Sequence, residues 1–515
     1  MEAEEFPNEA AILQACVGSF EVLSNSPKSQ AAKIHKYWSR KPEQVLRRLI
    51  SSFSSLDDVV LDPFCGSGAI GLEALKAGRS FIGFDLNPMA VRVSRDTLSP
   101  DFDAAQFDAA FGVLERRVSQ KLSALFTTSR GTAAYLMPNS KSGANAVLLQ
   151  PSGKKLRARI NLKELPSVRL SSLESQQLPT IEFPQEFYKD RFSYKGVKRV
   201  TDLFSRRVLK CLAILSSEIK TLDGDIRPMF ELCFTNTLLH VSKLKSEQVR
   251  PLGVNNYWIP DDFIEENVWW RFSDRCRQYR KAKLVLKSDF QALKPQNVDA
   301  SVAIGDAQCL SGLEDGSVGY VLTDPPYGDA IQYSELSYVW NSWLGETFDI
   351  SSEIVVNPCQ RKNIDTYVDM LDKSFAEIHR VLKIGGFLTL AFQNKDLILW
   401  YRVADRLRAR GFKFQDIFAD RMLGSPFTKN WAEFSPKSDL YLTLRKSVNA
   451  AGQLGSRKFS EILYDAKRVA RENNLTPDRS YDYLAMRIVC DSLAGRTITF
   501  DQRPEMSRVM ESLAL

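Results

Sequence analysis

Long apolar runs are missing from this chain of 515 residues, and no stretch approaches the roughly 20 residues that a membrane span needs. Its first residues, Met1-Glu2-Ala3-Glu4-Glu5, lack the basic and apolar regions of a secretory leader, so a cytoplasmic protein with no membrane partner is expected. Histidine is scarce, with 3 in all, and the 8 cysteines (Cys16, Cys65, Cys211, Cys233, Cys276, Cys309, Cys359 and Cys490) contain no Cys-x-x-Cys pair. A structural zinc site and a disulfide framework are thereby set aside, and no metal ligand is assigned. Charge of one sign is also in short supply: a net +7 is mild at this length, so any affinity for a polyanion must come from local clusters. Apolar residues are ample, at 44%, enough for the packed cores of two or three domains.

The most informative run is Thr323-Asp324-Pro325-Pro326-Tyr327-Gly328, which ends the apolar strand-like stretch Val318-Gly319-Tyr320-Val321-Leu322. Two prolines fix φ and remove two backbone donors, leaving nearby carbonyls free to accept hydrogen bonds. A carboxylate, free carbonyls and the ring of Tyr327 at a strand end suit a planar base with an amino group: the ring stacks, the oxygens take the N–H protons. Read alone, the run is equally a proline turn after a buried strand.

A second run decides between these readings. Val59-Val60-Leu61-Asp62-Pro63-Phe64-Cys65-Gly66-Ser67-Gly68-Ala69-Ile70-Gly71 reads as a buried strand entering a glycine-rich turn, and Leu72 to Gly78 as a helix closed by glycine. The next strand, Ser80 to Phe84, ends in Asp85, where a carboxylate can hold the ribose hydroxyls of a nucleoside lying across the strand ends. Gly66 to Gly71 formally matches the dinucleotide fingerprint. The acid and proline inside the loop, however, suit a cofactor carrying an amine and a sulfonium better than a pyrophosphate, which needs only N–H donors.

With these motifs the chain resembles the S-adenosylmethionine-dependent DNA amino-methyltransferases (adenine-N6 or cytosine-N4). The resemblance implies that Asp62, Pro63, Phe64, Cys65, Gly66, Ser67 and Gly68 cradle the cofactor, that Asp85 binds its ribose, and that Asp324, Pro325, Pro326 and Tyr327 are catalytic. It further implies that Asp306, ending Ala303-Ile304-Gly305, contacts the adenine, and that His35 and Tyr37, in His35-Lys36-Tyr37-Trp38-Ser39-Arg40-Lys41-Pro42, line the methionine end of the pocket. The implied substrate is duplex DNA with its target base flipped out. Adenine-N6 is favoured over cytosine-N4 because Asp opens the motif. Transfer-RNA guanine methyltransferases carry a similar motif, and a non-catalytic nucleic-acid-binding protein is the remote alternative. The runs His35 to Pro42, Asp324 to Tyr333 and Val197 to Leu212 also resemble those of large methyltransferases in prokaryotic defence loci, which adds restriction or defence-system partners to the expectation. Pro358-Cys359-Gln360 resembles the nucleophile tripeptide of cytosine carbon-5 enzymes, but it follows the Asp324 motif instead of replacing it.

The expected fold is α/β: a Rossmann-like methyltransferase sheet, mostly parallel with one antiparallel edge strand, a large insert and a helical C-terminal tail. More than 200 residues separate Asp85 from Asp306 where a compact core needs a helix and a loop. The expected divisions are therefore 1–100 for the first part of the core, 101–295 for an inserted target-recognition domain, 296–447 for the second part of the core and 448–515 for the extension. Between Ser129 and Leu165 short apolar runs alternate with Gly, Pro, Ser and Lys, as strands and turns do. Val197 to Ile219 and Arg227 to Ser242 have helical spacing instead. Ser171 to Gln177 and Ala450 to Gln453 read as linkers. The basic groups Lys154-Lys155-Leu156-Arg157-Ala158-Arg159, Lys195 to Arg199, Arg206-Arg207 and Arg277 to Lys283 all fall in the insert, interleaved with Tyr194, Phe204, Tyr257, Trp258, Trp269 and Trp270, as a nucleic-acid surface requires. In the tail, Lys467, Arg468 and Arg471 are expected to face water.

Overall fold

The computed structural model describes residues 7–17, 30–38, 40–140, 143–149, 154–168, 178–179, 181–187, 196–251, 257–292, 298–347, 349–421, 438–448, 452–501 and 503–514. The Ser171–Gln177 linker, Tyr194, Lys195 and part of the 450–453 linker lie outside these residues. None of the helices among them is long and apolar enough to cross a membrane.

Helix α1 is Glu9–Val17 and α2 is Glu43–Phe53; then β1 (Val59–Asp62), α3 (Ala69–Lys76), β2 (Ser80–Asp85) and α4 (Pro88–Leu98) follow in the expected order. The insert contributes α5 (Ala104–Ala124), β3 (Thr127–Thr128), β4 (Gly131–Ser140), β5 (Gly143–Leu149), β6 (Lys155–Ile160), α6 (Arg206–Lys220), α7 (Arg227–Val241), β7 (Glu265–Glu266) and α8 (Val268–Ala292). The core resumes with β8 (Ala300–Ile304), β9 (Val318–Thr323), α9 (Tyr333–Leu344), α10 (Ile364–Val381), β10 (Leu382–Phe392), α11 (Leu397–Ala409), β11 (Phe412–Arg421) and β12 (Ser438–Lys446). The extension holds β13 (Ser456–Lys458), α12 (Phe459–Glu472), α13 (Pro477–Leu493), β14 (Thr497–Thr499) and α14 (Met506–Ala514).

Seven strands form one sheet in the order β11-β12-β10-β9-β1-β2-β8. β8, β2, β1, β9 and β10 run parallel, and β12 runs antiparallel to both β10 and β11. The single reversed strand of the expectation is present, but it lies one place inside the edge. After β10 the chain crosses over through α11 and lays β11 one strand-width away; β12 then returns into the gap. Leu440, Tyr441, Leu442 and Leu444 are all buried as a result. A strand covered on both faces reads as a continuous apolar run, which does not say whether it is an edge.

The order of strands fixes the place of the site. From β1 the chain moves outward to β2 and β8, then returns to put β9 on the other side of β1, pairing Val60 with Tyr320 and Leu61 with Val321. That reversal opens a crevice beyond the carboxyl ends of β1 and β9, where ligands bind in sheets of this kind. The two loops most informative in the sequence leave these two strands.

The helices of the insert share their core with the sheet. Phe107 of α5 stacks on Phe230 of α7 with ring centroids 4.6 Å apart and on Tyr279 of α8 at 5.5 Å. The same apolar cluster runs through to Val60 and Phe81 of the sheet. Lys283 of α8 donates to the carbonyls of Asp96 and Ser99 behind α4. The strands β3 to β6, with β7 paired to β4, form a separate five-stranded sheet.

The extension packs on the sheet's far flank, where α13 buries Tyr481, Leu484, Ile488 and Leu493 in one cluster with Trp400 and Leu407 of α11 and Ile12 of α1. In α12, Arg468 pairs with Glu9 and Glu472.

Candidate active site

β1 ends in Asp62, whose Oδ1 accepts from the backbone of Phe64 (3.0 Å) and from the Thr323 hydroxyl at the end of β9 (2.7 Å). This side chain therefore ties the two loops together. Burial above all, then the neighbouring Asp324 and Asp85, pushes its carboxyl up to about 8 against those hydrogen bonds. The turn that follows needs left-handed backbone at Gly66 (φ 51°) and Gly68 (φ 77°). A Cβ on Gly68 would come within 3.1 Å of the Ser94 backbone, and one on Gly66 within 3.0 Å of the Tyr37 ring. Asp85, at the end of β2, accepts from Gly66 N and Asn87 N, both at 2.9 Å; burial raises its carboxyl to about 6.

β9 delivers Asp324. Its Oδ2 lies 3.3 Å from Lys41 Nζ, and its Oδ1 accepts from the Tyr327 hydroxyl. Burial lifts this carboxyl to about 6, with Lys41 opposing the rise. The Pro326 carbonyl accepts from Tyr367 (2.5 Å), and the Tyr327 carbonyl from Asn394 (3.3 Å), so the turn is held by α10 and by the end of β10. Asn394 is in turn bonded through its own carbonyl to Trp400 (2.9 Å) and to Tyr481 of the extension (3.2 Å).

One open cavity gathers most of the expected site: Asp62, Pro63, Phe64, Cys65, Gly66, Ser67, Asp85, Asp306, Tyr37, Asp324 and Pro326 all line it. Gly68 sits just behind, as the residue before α3. Pro325 and Tyr327 do not line the cavity. Tyr327 is buried, edge-on to Phe392 with centroids 5.6 Å apart, and Lys41 Nζ stands 4.9 Å from its ring centre. His35 is also behind the wall: it is fully buried, bonded to the Lys36 carbonyl (2.8 Å) and Thr235 (3.1 Å), and edge-on to Trp340. Burial drives its imidazole down to about 3, so it is neutral and supports the wall that Tyr37 and Trp38 present.

Several residues of the site escaped sequence reasoning. Tyr333 of α9 stacks on Tyr37 at 6.2 Å, and Asn87 and Glu353 also line the cavity. Lys41 is the most consequential. It bonds Asp439 on β12 at 2.9 Å as well as Asp324 and Tyr327, and it is buried. Burial opposes its charge, but Asp324 and Asp439 together hold its ammonium above the usual lysine value. A lysine before a proline carries no signal of its own. An acid opening a buried strand, as Asp439 does, is the one hint the sequence offers.

The basic clusters of the insert are less uniform than their sequence suggests. Arg280 is clamped by Asp108 through two hydrogen bonds, and Arg207 by Glu265. Phe204, Tyr257 and Trp269 are buried. Exposed basic side chains remain on β6, where Lys155 stands 4.5 Å over the Trp270 ring and Arg157 pairs with Glu247 (2.7 Å). Trp258 is also exposed.

Residues 18–96 match the model of a family described as DNA methylase. The chain is 38% identical over 64 residues to Type II methyltransferase M2.LlaDCHI of Lactococcus lactis subsp. cremoris, covering 12% of this chain and 24% of that protein. It is 42% identical over 55 residues to DNA adenine methyltransferase YhdJ of Escherichia coli (strain K12), covering 11% of this chain and 19% of that one. The chain thus spans a quarter or less of the length of the curated relatives it matches. Among solved structures, a SAM-dependent methyltransferase of Methanosarcina mazei is similar at 10% identity and a TM-score of 0.27, covering 78% of this chain and 98% of that one. A likeness this slight carries no argument.

Proposed function

We propose that the protein is an S-adenosylmethionine-dependent DNA methyltransferase that acts on the exocyclic amine of a flipped base, most readily adenine-N6. The observation that carries this reading is the meeting of the glycine-rich loop of β1 and the Asp324 loop of β9 in one cavity at the switch point of the sheet. The matched residues 18–96 cover the first of these loops and support it.

The residues present fit the cofactor. Gly66 and Gly68 make a cradle that a Cβ would fill, and Asp85 and Asp306 stand at the ends of adjacent strands as partners for ribose and adenine. Tyr37, Phe64 and Ile70 give the cavity apolar walls. When bound, S-adenosylmethionine supplies a methyl group on a sulfonium. The chain's own part is positioning: Asp324 accepts an N–H of the target amine, orients its lone pair and takes the proton it sheds. Because the ring of Tyr327 is buried, its part is to hold Asp324 through its hydroxyl, and the stacking face for the base falls to Tyr333 or Tyr37. The second sheet, with Lys155, Arg157 and Arg159 of β6 and the Trp270 ring of α8 beside Lys155, serves target recognition in this reading, within the 101–295 insert. Restriction or defence-system proteins are its proposed partners, and the cytoplasm its proposed location.

Three expected outcomes follow from these assignments. Gly68→Ala should cost about 1–2 kcal/mol in chemical denaturation, from left-handed strain, and should weaken S-adenosylmethionine binding in calorimetry. Replacing Lys155, Arg157 and Arg159 with Gln should reduce the slope of log affinity against log salt by up to about 0.9 per lost phosphate contact, with cofactor binding unchanged. Radiolabelled methyl should pass from S-adenosylmethionine to unmethylated duplex DNA and not to unmodified transfer RNA; label in RNA alone overturns the DNA reading.

A further inference from the structure

Asp324 faces an unusual density of charge. From the loop before α2 comes Lys41; from β12 come Asp439 and Tyr441; from β11 comes Asp420; from β1 comes Asp62; and its own loop brings Tyr327, which Tyr333 of α9 faces in turn. Only one of these groups is a cation. Lys41 Nζ is shared between the Asp324 and Asp439 carboxylates at 3.3 and 2.9 Å. The second oxygen of Asp439, both oxygens of Asp420 and the hydroxyl of Tyr441 are buried without a hydrogen-bond partner. Among the described residues Lys41 is the one cation this acidic tier faces, and the tier competes with Asp324 for that ammonium.

We propose that Lys41 is a positioning residue that keeps the Asp324 carboxylate ionised and aimed into the cavity, and that Asp439 tunes this by drawing the same ammonium away. The proposal rests on the reading of Asp324 as the acceptor of the target amine. An ionised Asp324 accepts the amine N–H; when that bond breaks its electron pair stays on nitrogen and the proton goes to the carboxylate oxygen. Protonated beforehand, the same carboxyl accepts an N–H only as a weaker, neutral acceptor and cannot take the proton. Lys41 also lines the cavity, but its part in this scheme is to hold Asp324, directly and through the Tyr327 hydroxyl, and not to bind base or cofactor.

The two acidic and basic neighbours make predictions of opposite sign. Removing the Lys41 charge takes away the influence that lowers the Asp324 carboxyl, so its midpoint must rise. Removing the Asp439 charge takes away one that raises it and releases Lys41 to Asp324, so the midpoint must fall.

The test is a titration of protein labelled with carbon-13 at the aspartate carboxyls, with Asp324 assigned as the resonance missing from Asp324→Asn. Lys41→Met should move the midpoint up by roughly one to three units, and Asp439→Asn should move it down. The acid limb of the kcat profile for methyl transfer should shift in the same two directions, with S-adenosylmethionine affinity held. Equal midpoints in all three proteins, or shifts of the same sign in both variants, overturn the proposal. Opposite shifts in a protein that methylates no nucleic acid uphold the role of Lys41 and overturn the functional reading instead.

Discussion

Asp324→Ala should lose kcat for methyl transfer by about 10²–10³-fold, the usual cost of removing one preorganised group that acts on the reacting atoms, with the affinity for S-adenosylmethionine nearly unchanged. The separation follows from the geometry. The cofactor's expected partners stand on the loop after β1 and at the ends of β2 and β8, whereas Asp324 comes from β9 on the other side of the switch point. The cavity wall should survive, because Lys41 keeps its ion pair with Asp439 and is not left as an unpaired buried charge. Single-turnover transfer beside calorimetric cofactor binding checks the result. Parallel loss of both would mean that the side chain holds the pocket together rather than acting on the substrate.

Removing residues 448–515 should prevent stable folding, an effect far larger than that of an ordinary surface deletion. The extension is not a tethered appendage. Tyr481, Leu484, Ile488 and Leu493 of α13 are each 2% exposed or less and belong to one cluster with Trp400 and Leu407 of the core. Deleting them uncovers the side chains they bury, Trp400 and Leu407 of α11 and Ile12 of α1 among them, and exposing each costs about 1.5–3 kcal/mol, a large share of the roughly 5–15 kcal/mol by which whole proteins are stable. Two neighbouring residues of α13 also reach toward the site. Tyr481 holds the Asn394 carbonyl, and Asp482 accepts from Ser438 at 2.6 Å, next to Asp439. Soluble yield and thermal unfolding of the shortened chain against the full one decide the point; a soluble, cooperatively folded core would contradict it.

Much of this arrangement was legible in the sequence because the sheet's central strands are covered on both faces. β1 and β9 appear as short apolar runs, each cut off by an acid and a proline, and β2 as another ended by Asp85. That β1 and β9 lie side by side at the switch point is given by the strand order of the fold. What could not be read depends on distance along the chain or on burial. Lys41 and Asp439 lie 398 residues apart, and nothing local marks them as partners. His35 has the residue type of a ligand but sits under Trp340 and Thr235, a fact of packing alone. Helical spacing showed α6 and α7 as amphipathic or apolar, but it could not show that their partners were the core's own helices. Basic and aromatic residues in the insert looked like one surface, whereas tertiary packing buries Tyr257 and Trp269 and ties Arg280 to Asp108. The reversed strand β12 was recognised as a strand, but its place inside the edge is set by the crossover through α11, which periodicity does not record.

The central claim is that the crevice beyond β1 and β9 carries a methyl group to an exocyclic amine of DNA. Mass spectrometry of nucleosides from duplex DNA incubated with the protein and S-adenosylmethionine tests it most directly. The account predicts N6-methyldeoxyadenosine, absent when Asp324→Ala replaces the wild-type chain. A protein that binds S-adenosylmethionine yet leaves no methylated amino nitrogen in DNA, or one that methylates equally without Asp324, would contradict it.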